Sequence, residues 1–363
     1  MSKSTRPAAY RVYGLMQSFF TRKMTGYLDY KGIPWRLRRS AMTDPRLIAA
    51  GFPGGMPAIE APDGEMMWDS TAMILHLEHR FPEPSVLPAD PVQRFLCFVI
   101  EDVCDEWLYR PAVGSRWYVA ENSAVGGFEL ARDMTVELPL RCDDALAGVG
   151  FHVRSSCPPL GVTETSIECW IDEVLRPWQR ALGAHLAGHR FLFGDRPALA
   201  DFAVFGGNAA HFVNDPACRR WTEEDAPALV EHTHRILQPE DHDYAGGWAD
   251  PREVPETLIA LLAEAGRLYL PWVSHATVEG EAVVAFTRGD PVAVCATSFL
   301  VEARAILLAR YAECRSPAID AVLGRAGILE HFAGHLEQAG RIPPIGDPPR
   351  PALNRPYPPE GVS

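Results

Sequence analysis

The sequence predicts two structural units, an α/β domain over residues 8–85 built as βαβ and then ββα, and an all-helical domain over 91–340 with a long extension. Three observations carry this. Short strand-like runs alternate with helical stripes in the first 80 or so residues. The segment Phe81 to Pro91, FPEPSVLPADP, then carries four prolines, which deny both helix and sheet. Beyond it, apolar residues recur at helical spacing. At 363 residues the chain also exceeds what one hydrophobic core usually spans.

In order, Tyr10 to Gly14 reads as a strand, and Phe20, Met24, Tyr27 and Leu28 fall on one face of a helix. Gly32 and Pro34 stop that helix, because Gly suits the left-handed cap position and Pro cannot continue the ladder. Pro34 to Ser40 can form a second strand. Met56 to Ala61 and Met66 to Trp68 flank the turn Pro62-Asp63-Gly64-Glu65, a hairpin signal, and Ile74, Leu77 and Phe81 mark the next helix. The boundary falls near residue 88. Leu96, Val99, Ile100, Val103 and Trp107 make a helical stripe, as do Ile167, Trp170, Ile171, Val174, Trp178 and Leu182. Residues 111–165 between them lack clear periodicity and read as an insertion, either loop-rich or of short helices. Residues 255–272 and 298–338 look helical, Ala282 to Thr287 can be a short strand, and 341–363 form a proline-rich tail that is unstructured or draped over the surface.

Composition narrows the function classes. A formal net charge of -13 argues against a nonspecific nucleic-acid binder, which needs clustered Lys and Arg. No apolar run is long enough for a signal sequence or a membrane span, so the chain reads as cytoplasmic, without a membrane partner. Eight cysteines stand singly, without a C-x-x-C or a metal-like quartet, which suits reduced, mostly buried thiols. The pairs His185/His189 and His331/His335 have metal-compatible spacing but lack the Glu of H-E-x-x-H and a third ligand, so surface histidines and no metal are expected.

Four motifs in order carry a resemblance. VYGLMQSFFTRKMTGYLDYKGIPW is similar to the opening of cytosolic glutathione transferases, in which a Ser, Tyr or Cys occupies the loop between the first strand and first helix. Ser18 falls there, which resembles the serine type, with Phe19 where many such members have Pro. GGMPAI resembles the turn before the third strand, implying a cis bond at Pro57, and WDSTAMILHLEHRFP resembles the acidic-Ser segment that opens the third helix. FLFGDRPALADFAVFG is similar to the start of a central helix of the second domain. Later pieces resemble a long bacterial subgroup of glutathione transferase-like proteins. The likeness covers residues 10–110 and 167–235 and implies a thioredoxin-like glutathione-binding domain followed by an all-α glutathione transferase C-terminal domain.

The resemblance also implies roles. Ser18 is the catalytic candidate: a hydroxyl at a helix N-terminus can hydrogen-bond the glutathione sulfur and adds the positive end of the helix dipole, although as a residue it equally suits a plain helix cap. The backbone of Met56, beside Pro57, would pair with the peptide-like part of glutathione. Asp69 and Ser70 would take its γ-glutamyl end, and both are ordinary caps too. Trp107, Tyr109, Arg116 and Trp117 are candidates for the second substrate, with core packing and a surface salt bridge as the alternative. Ala198 replaces the usual hydroxyl cap in GDRPALADF, so Ala198→Ser is expected to stabilise by roughly 0.5 to 2 kcal/mol.

The function implied is activation of the glutathione thiolate, a co-substrate, for attack on a hydrophobic or electrophilic small molecule. A glutathione-dependent isomerase, reductase or lyase stands beside it, as does a noncatalytic binding or scaffold protein on the same fold. A homodimer is expected from the family.

Overall fold

The computed structural model describes residues 8–39, 44–136, 141–239, 244, 246–345 and 348–351. The first unit runs β1 (Tyr10–Tyr13), α1 (Phe19–Tyr30), β2 (Trp35–Arg38), α2 (Pro45–Ala49), β3 (Ala58–Glu60), β4 (Met66–Trp68) and α3 (Ser70–Arg80). The sheet order is β2-β1-β3-β4, with β1 parallel to β2 and antiparallel to β3, and β4 antiparallel to β3. Strand alternation divides the side chains between two faces. Val12, Ile59 and Met67 join the main core, whereas Tyr13, Ala58, Met66 and Trp68 form a smaller cluster with Leu47 of α2. The sequence reading lacked α2. Its five residues carry too little periodicity, but Asp44 caps it by accepting the Arg46 N–H at 2.9 Å, and Pro45 sits at its first position.

Gly32 ends α1 at φ 63°, the left-handed conformation that the cap demands. After α3, the proline segment leads to α4 (Pro91–Asp102), where Asp90 accepts the N–H groups of Val92 at 2.8 Å and Gln93 at 3.1 Å. A π-helical turn, Val103–Trp107, passes into α5 (Tyr109–Tyr118). The stretch 111–165 is chiefly helical, including Phe128–Thr135 and Cys142–Ser156. Its periodicity is hidden because small residues do much of the burying: Ala112, Ala131 and Ala145 are buried, and a Cβ on Gly114 would lie 2.4 Å from Val162.

Three expectations need correction. The helical domain contains a hairpin: β5 (Glu281–Val284) pairs antiparallel with β6 (Val292–Cys295). Sequence reading saw one strand and missed its mate, because the pair gains its burial from elsewhere, as where Phe286 packs on Trp170 at 5.3 Å. His185 is not a surface residue but 1% exposed. Its Nε2–H donates to the Leu192 carbonyl at 3.1 Å and its Nδ1 takes the Thr257 hydroxyl at 2.8 Å, while burial pushes its pKa down to about 4. The third concerns Ala198, which starts the helix Leu199–Gly207. Asp201 accepts the Ala198 N–H at 2.8 Å, as expected of half a capping box. The donors that a hydroxyl cap would serve are already taken: Ala200 N–H by Cys97 Sγ at 3.3 Å and Asp201 N–H by the Ala198 carbonyl at 2.9 Å.

The two units share one core, in which α1 lies directly on the helix Leu199–Gly207. Glycine permits the approach, since a Cβ on Gly206 would stand 2.7 Å from the Phe19 carbonyl. Polar groups cross the same seam. Lys23 of α1, wholly buried, donates to Glu101 Oε1 and Asp105 Oδ2, each at 2.5 Å, and to Thr71 Oγ1 at 2.9 Å. Burial opposes its charge, but the two carboxylates outweigh that and leave its pKa raised.

Two predictions follow from this packing. Ala198→Ser should move stability by less than about 0.5 kcal/mol on denaturant unfolding, since it meets no free donor; a gain above 1 kcal/mol contradicts that account. Lys23→Met should cost about 3–5 kcal/mol, because two carboxylates stay buried without their cation. Asp105 already sits at about 7 through burial, countered by Lys23. Losing Lys23 raises it further, the folded state then holds the extra proton, and the deficit should therefore be larger at pH 8 than at pH 5. A deficit that does not change with pH would break the argument.

Candidate functional site

A cavity of about 880 Å³ opens between the sheet domain and the helices α4 and α5. The loop after β1 brings Ser18 to its wall as the N-cap of α1, with φ -87° and ψ 129°. The Ser18 Oγ accepts the Thr21 N–H at 3.4 Å, a long contact that leaves the hydroxyl hydrogen available for another acceptor. Two arginines fix the loop: Arg22 Nε donates to the Met16 carbonyl at 2.9 Å and Arg116 Nη1 to the Gln17 carbonyl at 2.7 Å. Phe19 takes the first helical position, 2% exposed, without disturbing the helix start.

Met56 and Pro57, joined by a cis bond just before β3, form the next part of the wall. Asp69 and Ser70 follow β4 and open α3. Asp69 holds φ 77°, the one non-glycine residue at positive φ among the described residues, and its Oδ1 accepts the N–H groups of Thr71 at 3.2 Å and Ala72 at 3.4 Å. Burial raises its carboxyl to about 6 against the pull of Lys23 and those two bonds. Ser70 is 5% exposed at the first helical position. Thus Ser18, Met56, Pro57, Asp69 and Ser70 all meet at one cavity, between the N-termini of two helices, where N–H groups and dipoles favour anionic groups.

The residues expected on the opposite wall divide. Tyr109 and Trp117 line the cavity, and the Tyr109 ring lies 5.5 Å from Phe20. Trp107 does not. It is 4% exposed and packs among Trp170 at 4.7 Å, Trp272 at 5.3 Å and Tyr269 at 5.5 Å, a core role. Arg116 reaches the cavity edge, but its donors are committed. Nε and Nη2 each lie 2.9 Å from Asp215 oxygens, and Nη2 also meets the Ala210 carbonyl. It is 2% exposed, so it forms a buried ion pair rather than a surface bridge, and it steadies the backbone beside Ser18.

Sequence reasoning missed several neighbours. Glu101, Asp105, Glu106 and Arg110 face the cavity from α4, the π-helical turn and α5. The signal was present: four acids within EDVCDE interrupt an apolar helical stripe, which is costly unless they are paired or used. Of the two readings of the tail, its described part takes the draped one. Trp68 donates its backbone N–H to the Pro349 carbonyl at 3.1 Å and its Nε1–H to the Pro351 carbonyl at 3.0 Å, and Arg350 Nε reaches the Met66 carbonyl at 2.6 Å. These residues dress the exposed edge of β4 and border the cavity. The rest of the expected tail, residues 352–363, lies outside the described residues.

Among the described residues, no group of three His, Cys, Asp or Glu side chains could hold a metal, and no helix is long and apolar enough to cross a membrane. Among the described residues no cysteine is in a disulfide; Cys97, Cys104, Cys157, Cys169 and Cys218 are buried, while Cys295 and Cys314 are partly exposed.

Residues 12–85 match the family model for the glutathione S-transferase N-terminal domain. The chain is 36% identical over 182 residues to a maleylacetoacetate isomerase of Pseudomonas aeruginosa, a match spanning 48% of this chain and 66% of that protein's length. Among solved structures, a glutathione S-transferase from Rhodospirillum rubrum superposes with a TM-score of 0.41 at 17% identity, covering 70% of this chain and 91% of that one. One from Methylobacterium radiotolerans, in complex with glutathione sulfonate, gives 0.39 at 20% identity, covering 68% of this chain and 100% of that one. With a four-stranded mixed sheet ahead of a mainly helical region, the chain has the glutathione S-transferase fold and carries that family's N-terminal domain in residues 12–85.

Proposed function

We propose that this protein is a glutathione-dependent enzyme that activates the thiol as a thiolate for attack on an electrophilic small molecule. The observation that supports it is the convergence of Ser18, Met56 and Asp69–Ser70 on one cavity, each beside a helix N-terminus or a cis-proline turn. In this reading Ser70 and the first-turn N–H groups of α3 take the γ-glutamyl carboxylate, Asp69 faces its ammonium, and the Met56 backbone pairs with the cysteinyl amide. The sulfur then lies at the N-terminus of α1.

A free thiol has a pKa near 8.5, roughly, and is mostly protonated at neutral pH. Donation from the Ser18 hydroxyl to sulfur and the α1 dipole both favour the anion, whose proton passes to solvent. The thiolate forms a carbon–sulfur bond, and the displaced electron pair settles on the electrophile or departs with a leaving group. The similarity to an isomerase favours a second form of the same chemistry, in which sulfur adds, a bond rotates and sulfur is expelled, so that glutathione returns unchanged.

Ser18→Ala should leave glutathione affinity nearly intact and lower kcat near neutral pH by about 10- to 100-fold, the worth of one hydrogen bond to a charged sulfur. Calorimetric titration with glutathione and turnover of an activated chloroarene measure the two effects separately. Equal turnover in both proteins reduces Ser18 to a helix cap. Binding without turnover in the wild type favours the noncatalytic alternative.

A further inference from the structure

The same cavity is walled in part by the chain's extension. The helix Ser298–Cys314 forms one wall, capped by Thr297, whose Oγ1 accepts the Leu300 N–H at 3.1 Å. Arg110 of α5 faces this space and lies close to Cys295 at the end of β6, just ahead of that cap. It is 3% exposed, yet its Nε has no acceptor and its guanidinium makes no hydrogen bond to the described residues. Its planar head lies 4.7 Å from the Trp272 ring centre and 5.8 Å from that of Trp107. Aromatic faces steady the cation, but no oxygen of the described residues accepts from its Nε. Arg116, equally buried, has Asp215 and two carbonyls.

Among the described residues no hydrogen bond joins it to a nearby acid. Burial pushes the Glu106 carboxyl well above the usual range, and that group makes no hydrogen bond to Arg110 among the described residues. Asp105 is engaged by Lys23, and Asp102 accepts the Tyr269 hydroxyl at 2.6 Å. Burial lowers the Arg110 pKa to about 10, which still leaves it charged. A second cation, Arg310, borders the same space, its guanidinium 3.9 Å from the Phe98 ring centre. A buried guanidinium without an acceptor is costly, and an incoming carboxylate supplies the missing bidentate partner.

We infer that Arg110 is a specificity-determining residue and that this cavity takes electrophiles bearing a carboxylate, bound to Arg110 while their carbon chain lies toward the glutathione sulfur. The inference rests on the glutathione reading. Its basis is the buried guanidinium, with no partner for Nε among the described residues, in a cavity that the helix Ser298–Cys314 also lines.

The test compares matched pairs of glutathione conjugates by titration calorimetry at pH 7: S-(ω-carboxyalkyl)glutathiones against S-alkylglutathiones of equal length, over several chain lengths. At one length or more, the carboxylated member should bind the wild type about 10- to 100-fold more tightly. Arg110→Met should abolish that preference while holding the affinity for the neutral conjugate, and Arg110→Lys should restore part of it. Equal affinities at every length in the wild type overturn the inference without help from any variant, as does a preference that survives in folded Arg110→Met. In either case strong binding of the neutral conjugates leaves the glutathione reading standing. If neither class binds, both readings fall together.

Discussion

A single buried ammonium organises the centre of this molecule. Lys23 projects from α1 of the sheet domain and bridges Glu101 and Asp105 at the start of the helical domain, with Thr71 of α3 completing the contact. Around it α1 and the helix Leu199–Gly207 approach until backbone meets glycine at Gly206. The two units consequently share one hydrophobic core, and the cavity between them has walls of fixed relative position. Buried pairs of this kind contribute little net stability but penalise every arrangement that leaves a charge alone. The domain interface is thereby specified as much as it is stabilised.

The cavity's electrostatics follow from that arrangement. A chain with a net charge of -13 places acids along the cavity face of α4 and the π-helical turn, and holds three of them in hydrogen bonds. Asp105 belongs to Lys23 and Asp102 to Tyr269, and burial pushes the Glu106 carboxyl above its ordinary range. Two parts of the lining nevertheless favour anionic groups: the N-termini of α1 and α3, and Arg110, whose Nε has no partner among the described residues. The π-helical turn Val103–Trp107 matters here, because the added residue rotates the following face so that Tyr109 and Arg110 point inward while Trp107 turns to the aromatic core.

Much of this was legible in the sequence, and the reasons for the rest are specific. The strand and helix order of the sheet domain showed through its periodicity, its turn and its prolines. Ser18, Met56, Asp69 and Ser70 were reached through resemblance, since isolated polar residues at helix starts are ambiguous by themselves. The helix α2 was too short to show a period, and the hairpin of β5 and β6 depends on contacts far away in sequence. Trp107 follows the core-packing alternative and Arg116 a buried rather than a surface pair, which sequence could not decide because a helical stripe says which residues share a face, but not which neighbour covers that face. The tail's proline content left draping as one of two alternatives, but could not say that its carbonyls pair with an edge strand nearly 300 residues earlier.

The central claim is that the N-terminus of α1, with Ser18 as its cap, holds a glutathione thiolate. Ultraviolet difference absorbance of bound glutathione, followed against pH, measures that ionisation directly. The account predicts a midpoint at least one unit below that of free glutathione under the same conditions, equivalent to about 1.4 kcal/mol of preference for the anion. A midpoint equal to that of the free thiol, with glutathione demonstrably bound, would contradict it.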